Sequence, residues 1–167
     1  RAGDDAAGLA ISEGLKADIR ALEQASRNAA DGISLVQTGE GALDEVSNIL
    51  VRMKELAEQS LNGTISDSER TYIDAEYTAL TSEIDRIAAA TEFNGVKLLD
   101  GTGASVDIQV GIGSAATDRV AVDLSGNMDS TTLGTTTGVD TATNAQTAIG
   151  EIDAAIDELR TVSRTRR

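Results

Sequence analysis

Residues 4–62 read DDAAGLAISEGLKADIRALEQASRNAADGISLVQTGEGALDEVSNILVRMKELAEQSLN, and the period of this stretch decides the fold. Ile11, Leu15, Ile19, Leu22, Ile33, Val36, Leu43, Val46, Leu50, Met53, Ala57 and Leu61 step mostly by three, four or seven residues, with Ala25 and Ala29 filling the gaps. That is the beat of a helix face, and the chain contains no proline to break it. At about 1.5 Å per residue the helix would be roughly 85 Å long, the length of a rod with partners along its sides. Five glycines interrupt it: Gly8, Gly14, Gly32, Gly39 and Gly41. Each lowers helix stability by about 1 kcal/mol relative to alanine. Two readings fit them, close helix–helix approach or room for another subunit or a conformational change; both make the helix a contact surface.

Outward from this stretch, Asn62–Gly63 suits a helix end with left-handed backbone angles. Asn62-Gly63-Thr64 also matches a glycosylation sequon, though a turn explains it. Ser66 and Glu69 form a capping box that starts a second helix, to about residue 90. Its apolar residues Ile73, Tyr77, Leu80, Ile84 and Ile87 are spaced 4, 3, 4, 3, a two-heptad seam that pairs it with the first helix as an antiparallel hairpin. Phe93-Asn94-Gly95-Val96 signals a tight turn, followed by the short apolar run Val96-Lys97-Leu98-Leu99. Val106, Ile108 and Val110 alternate with polar residues, as do Val120, Val122 and Leu124, which predicts one β-hairpin over about 105–124 as the only β element. Residues 125–143, rich in Gly, Ser and Thr, read as an irregular connection. A last helix, about 144–162, carries Ala145, Ile149, Ile152, Ile156, Leu159 and Val162, with Asp140 or Asn144 as its cap. The expected fold is mainly α: an elongated antiparallel bundle of two long N-terminal helices, one C-terminal helix and a small β-hairpin, in a single domain spanning 1–167.

Composition narrows the function. Only 2% of the 167 residues are aromatic, so burial falls to Ala, Ile, Leu and Val along narrow seams. The formal charge of −14 leaves no basic stripe to displace the counterions of nucleic acid. The basic run Arg160, Arg164, Arg166, Arg167 reads as a solvated tail. With no cysteine and no histidine, disulfides, thiol chemistry, the commonest general base and the commonest metal ligand are all missing. An enzyme is therefore the weakest reading, and no cofactor or metal is expected. No apolar run reaches membrane-spanning length and no signal peptide is visible.

Five motifs, in order, carry a resemblance: Asp4 through Ile11 (DDAAGLAI), Gln24 through Ala29 (QASRNA), Asp31 through Leu35 (DGISL), Glu40 through Leu43 (EGAL) and Phe93 through Leu99 (FNGVKLL). Together they resemble bacterial flagellin over roughly the first hundred residues, with a shorter C-terminal match centred on Ile152-Asp153-Ala154-Ala155-Ile156. The resemblance implies a structural subunit of the flagellar filament, exported with a chaperone through the flagellar type III apparatus, polymerising with copies of itself outside the cell. It implies the family's rod domain, without the terminal inner-core helices or the variable outer domains, and hence a chain that alone stays monomeric. After Leu159-Arg160 the family's pattern gives way to Thr161-Val162-Ser163-Arg164-Thr165-Arg166-Arg167. The rivals are a hook–filament junction protein and a cytoplasmic coiled-coil signalling hairpin; the β-hairpin argues against the latter.

The resemblance also implies recognition by Toll-like receptor 5, with the family's receptor-contact arginine, leucine and glutamate falling on Arg52, Leu56 and Glu76. Val51, Lys54 and Glu58 depart from the commonest surrounding pattern. Geometry agrees independently. Arg52 and Leu56 are four apart and share a helix face. Arg52 lies twelve residues before a turn at Thr64 and Glu76 twelve after it, so antiparallel pairing sets both about 18 Å from the tip. Without the resemblance, Arg52 and Glu55 read as an i,i+3 surface pair with Leu56 in the seam.

Overall fold

The structure, a computed structural model, describes residues 2–103 and 105–165, with side chains described from 8 to 164. Arg166 and Arg167 of the expected basic tail lie outside the described residues. Three helices dominate: α1 (Ala2–Leu61), α2 (Asp67–Ala90) and α3 (Ala142–Thr165). Between α2 and α3 lie two antiparallel strand pairs, β1 (Glu92–Phe93) with β2 (Val96–Lys97), and β3 (Val106–Gln109) with β4 (Arg119–Val122). The expected helices stand to within a few residues, and the fold is mainly α.

The chain divides into two compact units, Arg1–Leu35 with Val106–Val122, and Val36–Ser105 with Asp123–Arg167. In the first unit the β3–β4 hairpin lies against α1. Asn28 Nδ2 donates to the Gln109 carbonyl at 3.0 Å, and a Cβ on Gly32 would collide with Ile108 Cδ1. Gly32 is thus a glycine of close approach. This shifts the seam. Ile33 was expected on the buried face, but it is 59% exposed, while Leu35 is buried. A glycine marks the contact stripe here, and apolar periodicity cannot see a glycine. Ile11, Leu15, Ile19 and Leu22, also expected to be seam residues, are all more than half exposed.

In the second unit the apolar beat matches burial except at Leu61, which ends α1 38% exposed. Leu43, Val46, Leu50, Met53, Leu56 and Ala57 of α1 are buried, as are Ile73, Tyr77, Ile84 and Ile87 of α2 and Ala145, Ile152 and Leu159 of α3. The capping box is present: Ser66 N–H donates to Glu69 Oε2 at 2.8 Å and the Ser66 hydroxyl accepts from the Glu69 N–H at 3.4 Å. The end of α1 differs from expectation. The left-handed residues among those described are Asn94, Gly95, Gly101 and Gly134, so Gly63 does not cap α1. Arg70, buried at the start of α2, does so instead. Its Nε donates to the Ser60 carbonyl at 2.8 Å and its Nη2 to the Asn62 carbonyl at 3.1 Å, while Nη1 pairs with Asp67 at 2.9 Å. A cation on orphan carbonyls satisfies the helix end without any glycine.

Asn94 and Gly95 have φ of 50° and 79°, the two positive values a type I′ hairpin turn requires. The turn signal therefore makes a second β element, β1–β2, where a single hairpin was expected, and Lys97 pairs with Glu92 across it at 2.7 Å. The cap of α3 is Thr141, not Asp140 or Asn144. Thr141 Oγ1 accepts the Asn144 N–H at 3.1 Å, and Asp140 instead accepts from the Asn144 side chain. The capping oxygen must come from the residue just before the helix, and α3 begins two residues earlier than the apolar pattern suggested.

The Ser/Thr-rich connection has no helix or strand, as read, but it is held down. Asp85 accepts the Ser130 N–H at 2.8 Å, Asp74 accepts the Val139 N–H at 2.6 Å and Glu151 accepts the Thr137 hydroxyl at 2.7 Å. The buried Ser60 hydroxyl donates to the Val139 carbonyl. Met128, Leu133, Thr135 and Val139 are buried beneath. Carboxylates from α2 and α3 supply the acceptors that a segment without its own ladder needs.

Candidate functional site

Antiparallel pairing of α1 and α2 brings Arg52 to Glu76 as the residue count predicted. Arg52 Nε and Nη2 both donate to Glu76 Oε1, at 2.9 and 2.7 Å, and Nη1 donates to Glu55 Oε2 at 3.0 Å. One guanidinium thus spans two carboxylates, one on its own helix and one on the neighbour. The bonds it donates to Glu76, then that to Glu55, raise the Arg52 pKa above its ordinary value. All three side chains are about half exposed. Tight geometry at an exposed position fixes the shape of the patch more than it adds stability.

Leu56 does not join them on the surface. It is 1% exposed, one turn along α1 from Arg52 and turned into the core. A shared helix face by spacing is not a shared environment: with α2 packed alongside, the turn from Arg52 to Leu56 passes from the rim of the interface to its interior. The Arg52–Glu55 pair and the seam position of Leu56 stand as the residues alone read, and Arg52 reaches Glu76 across the two helices besides. Arg52 and Glu76 form the exposed patch, and Leu56 belongs to the core.

Two features near the patch escaped the sequence reading. Lys54 Nζ meets Asp153 Oδ1 at 2.6 Å, tying α1 to α3, and this bond is the main cause of a raised Lys54 pKa. Nothing local signals a pair separated by 99 residues. Tyr72, one turn from Glu76 on α2, is 77% exposed; its place outside the 4, 3, 4, 3 seam was the available clue. Elsewhere in the second unit, a cleft of about 270 Å³ is lined by Asp85, Asp100, Asn127 and Asp129 among others. Its carboxylates are engaged: Asp85 by Ser130, Asp100 by Thr102, and Asp129 by Thr132 and Asn127. Among the described residues no group of three or more His, Cys, Asp or Glu is placed to hold a metal, and no helix is long and apolar enough to cross a membrane.

Known proteins resemble the chain along most of its length. A family model described as the bacterial flagellin N-terminal helical region matches residues 1–104. A flagellin of Halalkalibacterium halodurans is 48% identical over 166 residues, covering 99% of this chain and 60% of that protein. Flagellin FlaB1 of Treponema pallidum is 38% identical over 173 aligned positions, covering 95% of this chain and again 60% of the relative. The chain therefore spans three-fifths of the length of these two relatives. A crystal structure of Bacillus cereus flagellin superposes with a TM-score of 0.73 at 37% identity, covering 83% of this chain and 80% of the solved one. With sequence and fold in agreement over this extent, the chain belongs to the bacterial flagellin family.

Proposed function

We propose that this chain is the helical part of a flagellar filament subunit, exported through the flagellar type III apparatus with a chaperone and polymerised outside the cell with copies of itself. The family is one of structural proteins, and the work assigned to this chain is packing. The exposed apolar residues Ile11, Leu15, Ile19 and Leu22, which share one face of α1, support assembly through helices, since an exposed apolar face of that kind marks a protein–protein surface. Electron microscopy of cells whose only flagellin is the full-length product carrying this chain tests the filament reading. Filaments are expected, and cells without them would refute it.

The same chain is recognised, in this proposal, by Toll-like receptor 5 through Arg52 and Glu76, with Leu56 beneath them. The observation that carries this reading is the Arg52–Glu76 contact across α1 and α2, which presents a fixed, half-exposed charge pair. Arginine is among the residue types enriched at binding hot spots. The test is a receptor reporter assay on the chain with Arg52→Ala and Glu76→Ala beside it. Each variant should lose about tenfold in potency, the scale of one hot-spot residue. A silent parent chain, or two variants as potent as the parent, would refute it.

A further inference from the structure

The sequence holds two Asn-Gly pairs, Asn62–Gly63 and Asn94–Gly95, and the structure surrounds them differently. We propose that Asn62 is a site of self-modification, where the turn between α1 and α2 promotes closure of Asn62 and Gly63 to a cyclic imide and then to aspartate and isoaspartate.

Ring closure needs an electrophilic side-chain carbonyl, a nucleophilic backbone nitrogen and no side chain in the way. At Asn62 all three are arranged. The carboxamide oxygen Oδ1 accepts the Thr64 N–H at 3.1 Å and the Thr64 hydroxyl at 3.0 Å. Two donors on a carbonyl oxygen stabilise the oxyanion that forms when a nucleophile adds to its carbon, the logic of an oxyanion hole. The nucleophile is the nitrogen of Gly63, which shares a peptide unit with the Asn62 carbonyl. That carbonyl accepts the Ile65 N–H at 3.1 Å and Nη2 of Arg70 at 3.1 Å. Donors on a peptide oxygen, one of them cationic, withdraw electrons from its nitrogen and make the N–H easier to deprotonate. Gly63 has no atom within 4 Å of where a Cβ would stand, and Asn62, Gly63 and Thr64 are all exposed to solvent.

The step balances without any co-reactant but water. The Gly63 proton passes to solvent base, the Gly63 nitrogen bonds to Asn62 Cγ, and the Cγ–Nδ2 bond breaks as Nδ2 takes a proton back from solvent and leaves as ammonia. Water then opens the imide at either carbonyl. Asn94 is followed by an equally open and exposed glycine and differs in the donors. It sits at φ 50° in the two-residue β1–β2 turn, and its carboxamide makes no hydrogen bond among the described residues. The product at residue 62 places a new carboxylate beside Arg70, and the isoaspartate form adds a methylene to the α1–α2 connection. The chain would thereby carry a slow chemical record of its age.

The experiment is peptide mass mapping of the chain after incubation in mildly alkaline buffer, with isoaspartyl methylation as a second readout and Asn94 as the internal reference. Folded chain should convert Asn62 several-fold faster than Asn94, and denaturing urea should abolish the difference. Thr64→Val, at an exposed position, should slow Asn62 several-fold, whereas Thr64→Ser, which keeps both donors, should not. Conversion of Asn94 as fast as Asn62 in the folded chain, or an unchanged Asn62 rate in Thr64→Val, would overturn the proposal.

Discussion

Tyr77→Phe should stabilise this protein, and increasingly so as the pH rises. The Tyr77 side chain is 1% exposed at the centre of the second unit, and its hydroxyl has no hydrogen-bond partner among the described residues. A buried unsatisfied polar group carries a desolvation penalty of about 1–3 kcal/mol. Removing the oxygen leaves only a small void, so a net gain of about 1–2 kcal/mol is expected at neutral pH. Burial, followed by the charges of Glu151 and Asp74, pushes the Tyr77 phenol from 10.0 up to about 12. A folded-state pKa raised above the unfolded value means that stability is fully present below pH 10 and falls away as the pH climbs toward 12. A shift of two units corresponds to about 2.7 kcal/mol. The parent should therefore lose about that much across the alkaline window, while the phenylalanine variant, with nothing to ionise there, should not. Urea unfolding followed by circular dichroism at a series of pH values measures both effects. The exposed Tyr72 is common to both proteins and cancels in the difference. A Tyr77→Phe protein less stable than the parent at neutral pH, or parallel loss of stability in the two above pH 10, would show that the buried hydroxyl carries no such penalty.

Other substitutions test the remaining assignments. Leu56→Ala should destabilise the second unit by about 2–5 kcal/mol through cavity formation. Arg52→Ala should leave the urea midpoint nearly unchanged, so unfolding curves separate the core residue from the surface one. Gly150→Ala in α3, where a Cβ meets nothing within 4 Å, should gain about 1 kcal/mol of helix propensity. The same change at Gly32 meets the Cδ1 end of Ile108, so overpacking should offset its helix gain, and Ile108→Val in the same chain, which removes that methyl, should restore the gain. Arg70→Met should cost about 2–4 kcal/mol in thermal or urea unfolding, since it strips donors from the Ser60 and Asn62 carbonyls. Glu69 has its pKa lowered by the bonds from Ser66, so its contribution is present above its unfolded pKa and is lost as pH falls. Ser66→Ala should flatten that acid-side dependence.

Local and periodic features were legible in the sequence. The 60-residue α1, the capping box at Ser66, the seam of α2 and the alternation of β3 and β4 each follow from residues close to one another in the chain. The height match of Arg52 and Glu76 was legible too, because a helical hairpin has a fixed rise on each side of its turn. Five ordered motifs carried the family.

Tertiary structure decided the rest. Spacing put Leu56 on a face with Arg52, but only the packing of α2 could say that this face crosses from rim to core within one turn. Periodicity made Ile33 and the residues from Ile11 to Leu22 look like seam. Their exposure depends on what lies opposite, and opposite Gly32 that is Ile108, which the chain reaches only 76 residues later. Arg70 as the cap of α1, Lys54 against Asp153, and the carboxylates that hold residues 125–143 are likewise partnerships across the fold. A sequence fixes which side chains a helix displays along its own turns; what each display meets depends on segments brought together by folding, and no local pattern encodes that meeting.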